Sequence, residues 1–324
     1  MRTNRIGRLI AGVALIAATA SASGQAPYPT RPIRVIVPYP AGGIVDIVAR
    51  SVSEGVGKVF RQPMVVEAKP GANSNIGTAE VARSTPDGYT WLVTGPAVLV
   101  NPSIYKDAGW NALRDFKCVG LLVWNQSAAV VPVAMPVNTL KEFVELAKAS
   151  PGKMNFGNPG IGSSIDLTAK NLFRTAGIDV ANIGYKGQPQ ALIDLITGEI
   201  QITVASLALA LPHIRDGKLK ALAVFTKERV KELPDVPTVA EAGYPDAAYL
   251  PWYGIYVPAA TPDELVKRIH DAVDAALQAP EVIERLSHAD IPGQPMPLEQ
   301  LAELMKADHQ RLTEIVKVSH IAVQ

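Results

Sequence analysis

The sequence predicts an α/β fold built as two lobes. From Ile33 onward, short β-branched runs alternate with segments whose apolar residues recur at helical spacing. A strand followed by an amphipathic helix is the repeating half of a parallel sheet. The chain has 324 residues, and even without its first 22 it exceeds the size at which one core usually keeps growing. Two α/β domains are therefore expected.

The N-terminus has the three parts of a secretory signal. Three arginines precede an apolar run at residues 9–20, and small residues follow at 20–22. We expect a signal peptide at 1–22 with cleavage near Ala22, because a cut after Ala26 would place Pro27 beside the cleaved bond. The apolar run is about half of the roughly 20 residues that span a bilayer. It is therefore predicted to direct export and not to anchor the protein, and no cysteine near the cut offers a lipid attachment point.

The bulk composition excludes some classes of partner. The chain has 31 basic and 30 acidic residues, a balance unlike the concentrated positive charge on which nucleic-acid binding depends. Cys118 is the only cysteine, so no intrachain disulfide can form. It lies in an apolar segment and is predicted to be buried, since an unpaired cysteine behaves as a small hydrophobe.

The order of predicted elements suggests how the lobes are connected. Apolar extended segments near 123–133 and 247–256 are predicted to cross between the lobes as a two-strand hinge, a geometry that permits closure around a ligand. Lobe 1 would comprise 27–126 plus 248–324, and lobe 2 would comprise 127–247. The predicted strands lie at 33–37, 64–67, 89–93, 154–156, 182–185 and 200–204; the predicted helices begin near 44 and 76 and lie at 140–149, 164–176, 189–196, 262–277, 280–289 and 298–318.

The most informative segment is Pro-Tyr-Pro-Ala-Gly-Gly at 38–43, which joins the first strand to the first helix. Ligands of open α/β sheets bind at the carboxyl ends of strands. Gly42 and Gly43 leave the first N–H groups of the helix accessible to an anion, which the helix dipole also attracts. Asp46 in the first turn either compensates the dipole or orders water and ligand. Tyr39 and Ala41 complete this group of candidates.

A second glycine-rich turn, Asn-Pro-Gly-Ile-Gly-Ser-Ser at 158–164, repeats this arrangement before the helix at 164–176. A serine at its end is placed to cap the helix, with or without contacting a ligand. The spacing of its glycines does not match the dinucleotide-binding fingerprint. The candidate residues of this turn are Asn158, Gly162, Ser163 and Ser164.

Other strand-to-helix turns supply weaker candidates. Asn75, Thr94 and Gly95 lie in two such turns, where an ordinary turn role and ligand contact are both open. Lys186 follows a second-lobe strand and could face an anion across the cleft, although such a lysine is more often solvated.

The sequence lacks several common catalytic motifs. It has no Gly-x-Ser-x-Gly elbow, no His-Glu-x-x-His pair and no phosphate-loop lysine. The five histidines are scattered without helical i, i+3 or i, i+4 partners, so neither a metal nor a cofactor is expected. A hydrolase that pairs Asp46 with Asp166 is a remaining alternative.

Several motifs occur in an order that resembles one family. The chain resembles, over essentially its whole mature length, the Bug-type substrate-binding proteins of tripartite tricarboxylate transporters. The matching motifs are Tyr-Pro-Thr-Arg-Pro-Ile at 28–33, the 38–43 segment closed by Asp46, Pro-Gly-Ala at 70–72, Asn-Ile-Gly at 75–77, Pro-Asp-Gly-Tyr-Thr at 86–90, Tyr-Lys-Gly at 185–187, Leu-Pro-His-Ile at 211–214, Leu-Pro-Asp-Val-Pro-Thr-Val at 233–239 and Trp-Tyr-Gly at 252–254.

This resemblance implies a periplasmic binding protein of the type II, Venus-flytrap form. In the family, the first-lobe glycine loop and two ordered waters hold one carboxylate, and second-lobe residues select the rest of the ligand. The general grip would then comprise Ala41, Gly42, Gly43 and Asp46. The selecting side would comprise Ser163, Ser164, Asp166, Ala205 and Ser206.

Two of these positions depart from the family pattern. Asp166 stands where relatives often carry histidine, and Ala205 stands where they often carry aspartate. If Asp166 faced the pocket, it would repel a second ligand carboxylate by roughly 1 to 4 kcal/mol at about 4 Å, which disfavours citrate-like ligands.

The sequence thus predicts a binding protein and not an enzyme. The expected ligand is a small mono-, di- or aromatic carboxylate, and the expected partners are integral-membrane transporter subunits. A sensor that presents its closed form to a membrane receptor is the alternative, and neighbouring genes for two transporter subunits would favour transport.

Overall fold

The computed structural model describes residues 27–288, 291 and 293–318; the expected signal peptide lies outside them. No helix in these residues is both long and apolar enough to cross a bilayer. The strands are β1 (Ile33–Val37), β2 (Met64–Ala68), β3 (Thr90–Thr94), β4 (Phe116–Trp124), β5 (Ser127–Pro132), β6 (Asn155–Asn158), β7 (Ala181–Gly184), β8 (Thr203–Ser206), β9 (Leu219–Val224) and β10 (Trp252–Pro258). The α-helices are α1 (Ile44–Phe60), α2 (Asn75–Ala82), α3 (Ala97–Ile104), α4 (Ala112–Asp115), α5 (Leu140–Ala149), α6 (Ser164–Ala176), α7 (Gln188–Thr197), α8 (Leu207–Arg215), α9 (Asp263–Leu277), α10 (Pro280–His288) and α11 (Leu298–Val318), with a 3-10 turn at Pro245–Ala247.

The first sheet has five strands in the order β2-β1-β3-β10-β4. β1 pairs in parallel with β2 and β3, as the alternation of strands and helices predicts. β10 runs antiparallel between β3 and β4. β10 is buried along its whole length and β1 along nearly all of it, as expected for strands with helices on both faces.

The helices on the first sheet come from both ends of the chain. The apolar stripe of α1 includes Val48, Val52 and Val56, which are 0–1% exposed. Gly55 lies on the same helix against α9 and α10, and a Cβ there would come within 2.7 Å of Val282. α11 packs on α3 and β4. The C-terminal helices therefore cover the sheet that the N-terminal strands begin.

The second lobe is built on shorter strands. β5 pairs antiparallel with β8 and β9, and β6 pairs in parallel with β7. A parallel bridge between Phe156 and Ile202 joins these two groups. The sequence places a strand at 200–204, whereas β8 covers Thr203–Ser206. Gln201 and Ile202 are not part of this strand, because their backbone groups make single hydrogen bonds to Asn155 and Gly157 and do not form a continuous ladder.

The chain passes from the first sheet to the second over two residues, Asn125 and Gln126, which separate β4 from β5. It returns to the first sheet at β10. The Asn125 N–H donates to the Pro251 carbonyl at 2.7 Å, so the two crossing segments are hydrogen-bonded to each other.

Each lobe has its own apolar core. One cluster surrounds the first sheet and includes Trp252 and Tyr256, whose rings stack with centroids 6.0 Å apart. Two further clusters lie on either side of the second-lobe strands. Cys118 belongs to the first cluster and is buried, as the sequence predicts. Burial raises the pKa of its thiol to about 12.

Candidate functional site

A cleft lies where the carboxyl ends of strands from both sheets meet. The centre of a water molecule can reach about 90 Å³ of it, several times the roughly 10–15 Å³ that one water requires. A wider opening continues from it past Pro40, Asn73 and Lys186. The cleft is lined by Tyr39, Pro40, Gly43, Ile44, Val45, Asn73, Pro159, Ser163, Ser164, Ile165, Lys186, Gly187, Gln188, Pro189, Leu209 and Tyr253.

The first-lobe wall of the cleft is the start of α1. Gly42 has φ +80°, a left-handed conformation that favours glycine. Its N–H donates to Asp46 Oδ2 at 3.1 Å and so turns away from the cleft. Gly43 is the N-cap residue and lines the cleft, and it has no side chain with which to cap the helix. The two glycines therefore have different roles. Gly42 stabilises the loop through its hydrogen bond to Asp46, and Gly43 leaves the start of the helix without a side-chain cap.

The first N–H groups of α1 are open donors. The first hydrogen bond of the helix runs from Ile47 N–H to the Gly43 carbonyl. Ile44 and Val45 line the cleft, and their N–H groups have no acceptor in the described part of the chain. Open donors at a helix start, together with the helix dipole, favour an anion.

The Asp46 carboxylate is bound by neighbouring residues of its own loop and helix. Its carboxylate accepts the Gly42 N–H and forms an ion pair with Arg50 at 3.0 Å. The side chain is 6% exposed and is not part of the cleft lining. These contacts are those of local capping and dipole compensation, one of the two interpretations left open by the sequence.

The start of α6 repeats this arrangement in the second lobe. Gly162 has φ +78°, and its N–H donates to Asp166 Oδ2 at 2.7 Å. Lys170 pairs with the same carboxylate at 3.1 Å. The two loops thus share the pattern of a glycine, an acid four residues later and a base after four more. They differ at the N-cap: Ser163 Oγ accepts the Asp166 N–H, whereas Gly43 has no side chain to cap α1.

Asp166 lies beneath the cleft wall and not in it. The Asn158 side-chain amide donates to its second oxygen at 2.8 Å, and the residue is fully buried. Burial raises the pKa of the Asp166 carboxyl, an effect that Lys170 opposes. The condition for Asp166 to repel a second ligand carboxylate, a position facing the pocket, is not met. Asp166 therefore gives no reason to exclude citrate-like ligands.

Asn75 belongs to a strained loop beside the opening. Ala72, Asn73 and Ser74 all have positive φ angles of 45–76°, which is costly for residues other than glycine. The buried Asn101 holds this loop, since its side-chain amide donates to the Asn73 carbonyl at 2.6 Å and to Asn75 Oδ1 at 2.8 Å. Asn73 lines the cleft, whereas the Asn75 side chain serves the loop.

Thr94 and Gly95 support two tyrosines of the cleft wall. Thr94 is buried, and its hydroxyl lies 3.3 Å from the Tyr39 phenol. Gly95 lies against the Tyr253 ring so closely that a Cβ there would come within 2.6 Å of it. These two candidates therefore shape the wall, and Tyr39 itself lines the cleft.

Ala205 and Ser206 are buried at the end of β8 and are not part of the lining. The Ser206 N–H donates to Gln188 Oε1 at 3.3 Å. Gln188 and Leu209 reach the cleft in their place. Ala41 is exposed at the wider opening.

The cleft also contains Lys186, a weaker candidate from the sequence, and residues that the sequence did not mark. Lys186 is exposed at the wall and is the single charged residue among the lining residues of the described chain. Tyr253 comes from β10, more than two hundred residues after Tyr39. The Trp-Tyr-Gly motif at 252–254 was the only sequence signal for it. Pro159, Ile165 and Pro189 add apolar surface, which is usual in small-molecule sites.

Comparison with protein families gives one match that covers most of the chain. The tripartite tricarboxylate transporter family receptor matches residues 48–321. A protein from the tcbD–tcbE intergenic region of Pseudomonas sp. strain P51 is 32% identical over 312 residues, 95% of this chain and 93% of that protein. BugT of Bordetella pertussis is 31% identical over 282 residues, 86% of each protein.

Solved structures share the whole fold. The periplasmic binding protein BugD is 32% identical with a TM-score of 0.85, covering 92% of this chain and all of its own. Rpa4515 of R. palustris, solved with adipate, is 26% identical with a TM-score of 0.85 over 91% of this chain and 99% of its own. MatC of Rhodopseudomonas palustris, solved with bound malate, is 28% identical with a TM-score of 0.81 over 89% of this chain and all of its own.

These proteins are solute-binding proteins and not enzymes, and their two-lobed α/β fold is that of the present chain. In the described residues, no group of three or more histidine, cysteine or acidic side chains could hold a metal ion. By its family match and its fold, the chain belongs to the tripartite tricarboxylate transporter receptor family.

Proposed function

We propose that this protein captures a small organic acid between its lobes in the periplasm and delivers it to a tripartite tricarboxylate-type membrane transporter. The predicted lobe boundaries at 126/127 and 247/248 are part of this proposal, and closure about them would enclose the ligand. The relatives solved with adipate and malate support a carboxylate as the ligand.

The observation that carries the proposal is the uncapped start of α1. Gly43 supplies no side chain, and Ile44 and Val45 line the cleft with N–H groups that have no acceptor in the described chain. A carboxylate has about four acceptor positions on its two oxygens. It would satisfy these donors and the positive end of the helix dipole together.

The charges around the cleft support an anion. Asp46 and Asp166 are each paired with a base four residues later, and neither lines the cleft. Lys186 remains as a cation at the wall without a carboxylate partner in the described residues. The charge at the cleft wall is therefore that of a lysine, which attracts anionic ligands.

The predicted site residues divide into two groups in this proposal. Tyr39, Ala41, Gly43, Ser163 and Ser164 would contact the ligand, because they line the cleft or its opening. The remaining candidates would hold the loops in place from behind. These are Gly42, Asp46, Asn75, Thr94, Gly95, Asn158, Gly162, Asp166, Ala205 and Ser206.

A thermal-shift screen on purified, ligand-stripped protein tests the proposal. The panel contains hexanoate, adipate, malate, citrate and benzoate, with glucose and arginine as an uncharged and a cationic compound. We expect at least one carboxylate to raise the melting temperature in a saturable manner. Stabilisation by glucose or arginine and by none of the acids would refute carboxylate capture.

A further inference from the structure

Tyr253 occupies a special position at the base of the cleft. It belongs to β10, the strand by which the chain returns to the first sheet, and it is 4% exposed while lining the cleft. Gly95 lies directly against its ring and leaves no room for a side chain. The ring is therefore held in one position, and so is its hydroxyl group.

The Tyr253 phenol has two hydrogen-bonding neighbours, Asn125 and Ser164. The Asn125 side-chain N–H donates to the phenol oxygen at 3.0 Å, so the oxygen acts as an acceptor in that bond. A phenol also has one O–H donor. Besides Asn125, the Ser164 hydroxyl is a hydrogen-bonding group beside this phenol, and Ser164 itself lines the cleft. A charged ligand oxygen at this wall would accept a stronger hydrogen bond from the phenol than the neutral serine hydroxyl does, which makes it a favourable partner.

The groups near this phenol are themselves cleft residues. Burial raises the pKa of Tyr253, the nearby Tyr39 phenol raises it further, and the Ser164 hydroxyl lowers it. Both Tyr39 and Ser164 line the cleft, one from each lobe. The phenol end of Tyr253 thus lies between the two walls and remains protonated at any physiological pH.

Asn125 connects this group to the hinge. It lies between β4 and β5 in the first crossing segment, and its backbone N–H bonds to Pro251 in the second. Its side chain is 2% exposed, and Oδ1 is buried without a partner in the described residues. Asn125 thus bonds to the second crossing segment through its backbone N–H and to the Tyr253 phenol through its side chain.

We propose that the Tyr253 phenol donates its proton to an oxygen of the bound acid, and that Asn125 positions the phenol and so links ligand contact to the hinge. This inference rests on the carboxylate-binding function proposed above. Tyr253 is then a ligand-binding residue and Asn125 a positioning residue. The ligand would be held from three sides: by α1, by α6 and by the hinge strand.

The test is isothermal titration calorimetry with whichever of hexanoate, adipate, malate, citrate and benzoate stabilises the unmodified protein most. Tyr253→Phe removes only the hydroxyl group. Hydrogen bonds to charged groups contribute enough that the Kd should rise at least about tenfold. Asn125→Ala keeps the phenol but frees it, and we expect a smaller rise of about three- to tenfold.

Tyr256→Phe is the matched control. Tyr256 lies three residues further along the same strand, is fully buried and has a hydroxyl without a partner in the described chain, but it does not line the cleft. Its Kd should stay within twofold of the unmodified protein. An equal loss in both phenylalanine variants, or a Kd within twofold for Tyr253→Phe, would overturn the inference. If Tyr253→Phe does not fold, an unchanged Kd for Asn125→Ala overturns it.

Different outcomes test carboxylate capture and the role of Tyr253. Failure of every acid in the panel to bind the unmodified protein refutes carboxylate capture itself. Binding of an acid that is indifferent to Tyr253→Phe leaves carboxylate capture intact and removes the phenol from the site. The tryptophan fluorescence change on binding adds a second measurement, because Trp124 and Trp252 are paired beside the hinge. Asn125→Ala should reduce its amplitude at saturating acid.

Discussion

Replacing Gly43 with leucine should close the cleft without disturbing the fold. Gly43 has φ −77° and ψ 167°, a conformation that any residue adopts. A Cβ at this position would be 3.4 Å from the Pro40 carbonyl oxygen, which is an ordinary contact. The rest of the leucine side chain would enter the cleft, beside the open N–H groups of Ile44 and Val45. The substitution therefore blocks the donors and leaves the backbone unstrained.

The size of the effect follows from the coupling of binding to stability. An acid present at 100 times its Kd stabilises the folded protein by about 2.7 kcal/mol. With an unfolding entropy of about 2.1 cal/mol/K per residue, that raises the melting temperature of a chain of this length by roughly 4 °C. If Gly43→Leu raises the Kd 100-fold, the same acid concentration equals the new Kd and stabilises by about 0.4 kcal/mol, or roughly 0.6 °C. Without ligand, the variant should melt close to the unmodified protein.

Thermal denaturation with and without the acid measures both quantities on one sample. Gly184→Leu is the control, because Gly184 is exposed at the end of β7 with open space around its Cβ position and does not line the cleft. It should keep the full ligand-induced shift. The reasoning fails if Gly43→Leu also keeps that shift, since the start of α1 would then not hold the ligand.

Three further outcomes are expected. Lys186→Met should slow association of an anionic ligand several-fold at low salt and much less at high salt, because a charge at the cleft wall steers anions; stopped-flow traces with equal salt dependence for both proteins would contradict this. Burial raises the pKa of Asp166, so its favourable contribution to stability is present at low pH and is lost as the pH rises through the folded-state pKa. Urea melts of Asp166→Asn and the unmodified protein from pH 3 to 7 should therefore shift in favour of the variant as the pH rises, and a constant difference would argue against a raised pKa. Cys118, whose thiol pKa burial raises to about 12, should not react with a thiol reagent at pH 8 until the protein is unfolded; rapid labelling of the native protein would show that the first core is open.

Much of the site could be predicted from the sequence because it depends on local chemistry. A strand that ends in two glycines before a helix places bare N–H groups at the carboxyl edge of a sheet. This reasoning selects Gly43 and the serines at 163–164, and all three line the cleft. These signals lie within a few residues of the group they describe, so no knowledge of the tertiary structure is required.

The roles of the two acids could not be predicted in this way. A carboxylate in a first turn can face a ligand or turn back on its own loop, and both conformations have the same sequence. Asp46 and Asp166 turn back because a glycine N–H four residues earlier and a base four residues later satisfy them. The glycine-acid-base pattern at spacings of four would have been a usable signal, since residues four apart share a helix face.

The position of Tyr253 in the cleft could not be predicted from its neighbours in sequence, for a different reason. It reaches the cleft because β10 is inserted antiparallel between β3 and β4. Nothing in the residues around Tyr253 specifies that position in the sheet. The resemblance to a family marked its motif, but only the pairing of distant strands places its ring against Gly95.

The central place of β10 also affects how the protein acquires its structure. A chain that ends before Trp252 lacks the strand that separates β3 from β4, so more than two hundred residues can be synthesised before the first sheet can close. Contacts between such distant segments slow folding, because the intervening loop must be ordered first. Until the last quarter of the chain emerges from the ribosome, the N-terminal segments have no complete sheet to join. Completion of the first sheet is therefore a late step in the folding of this chain.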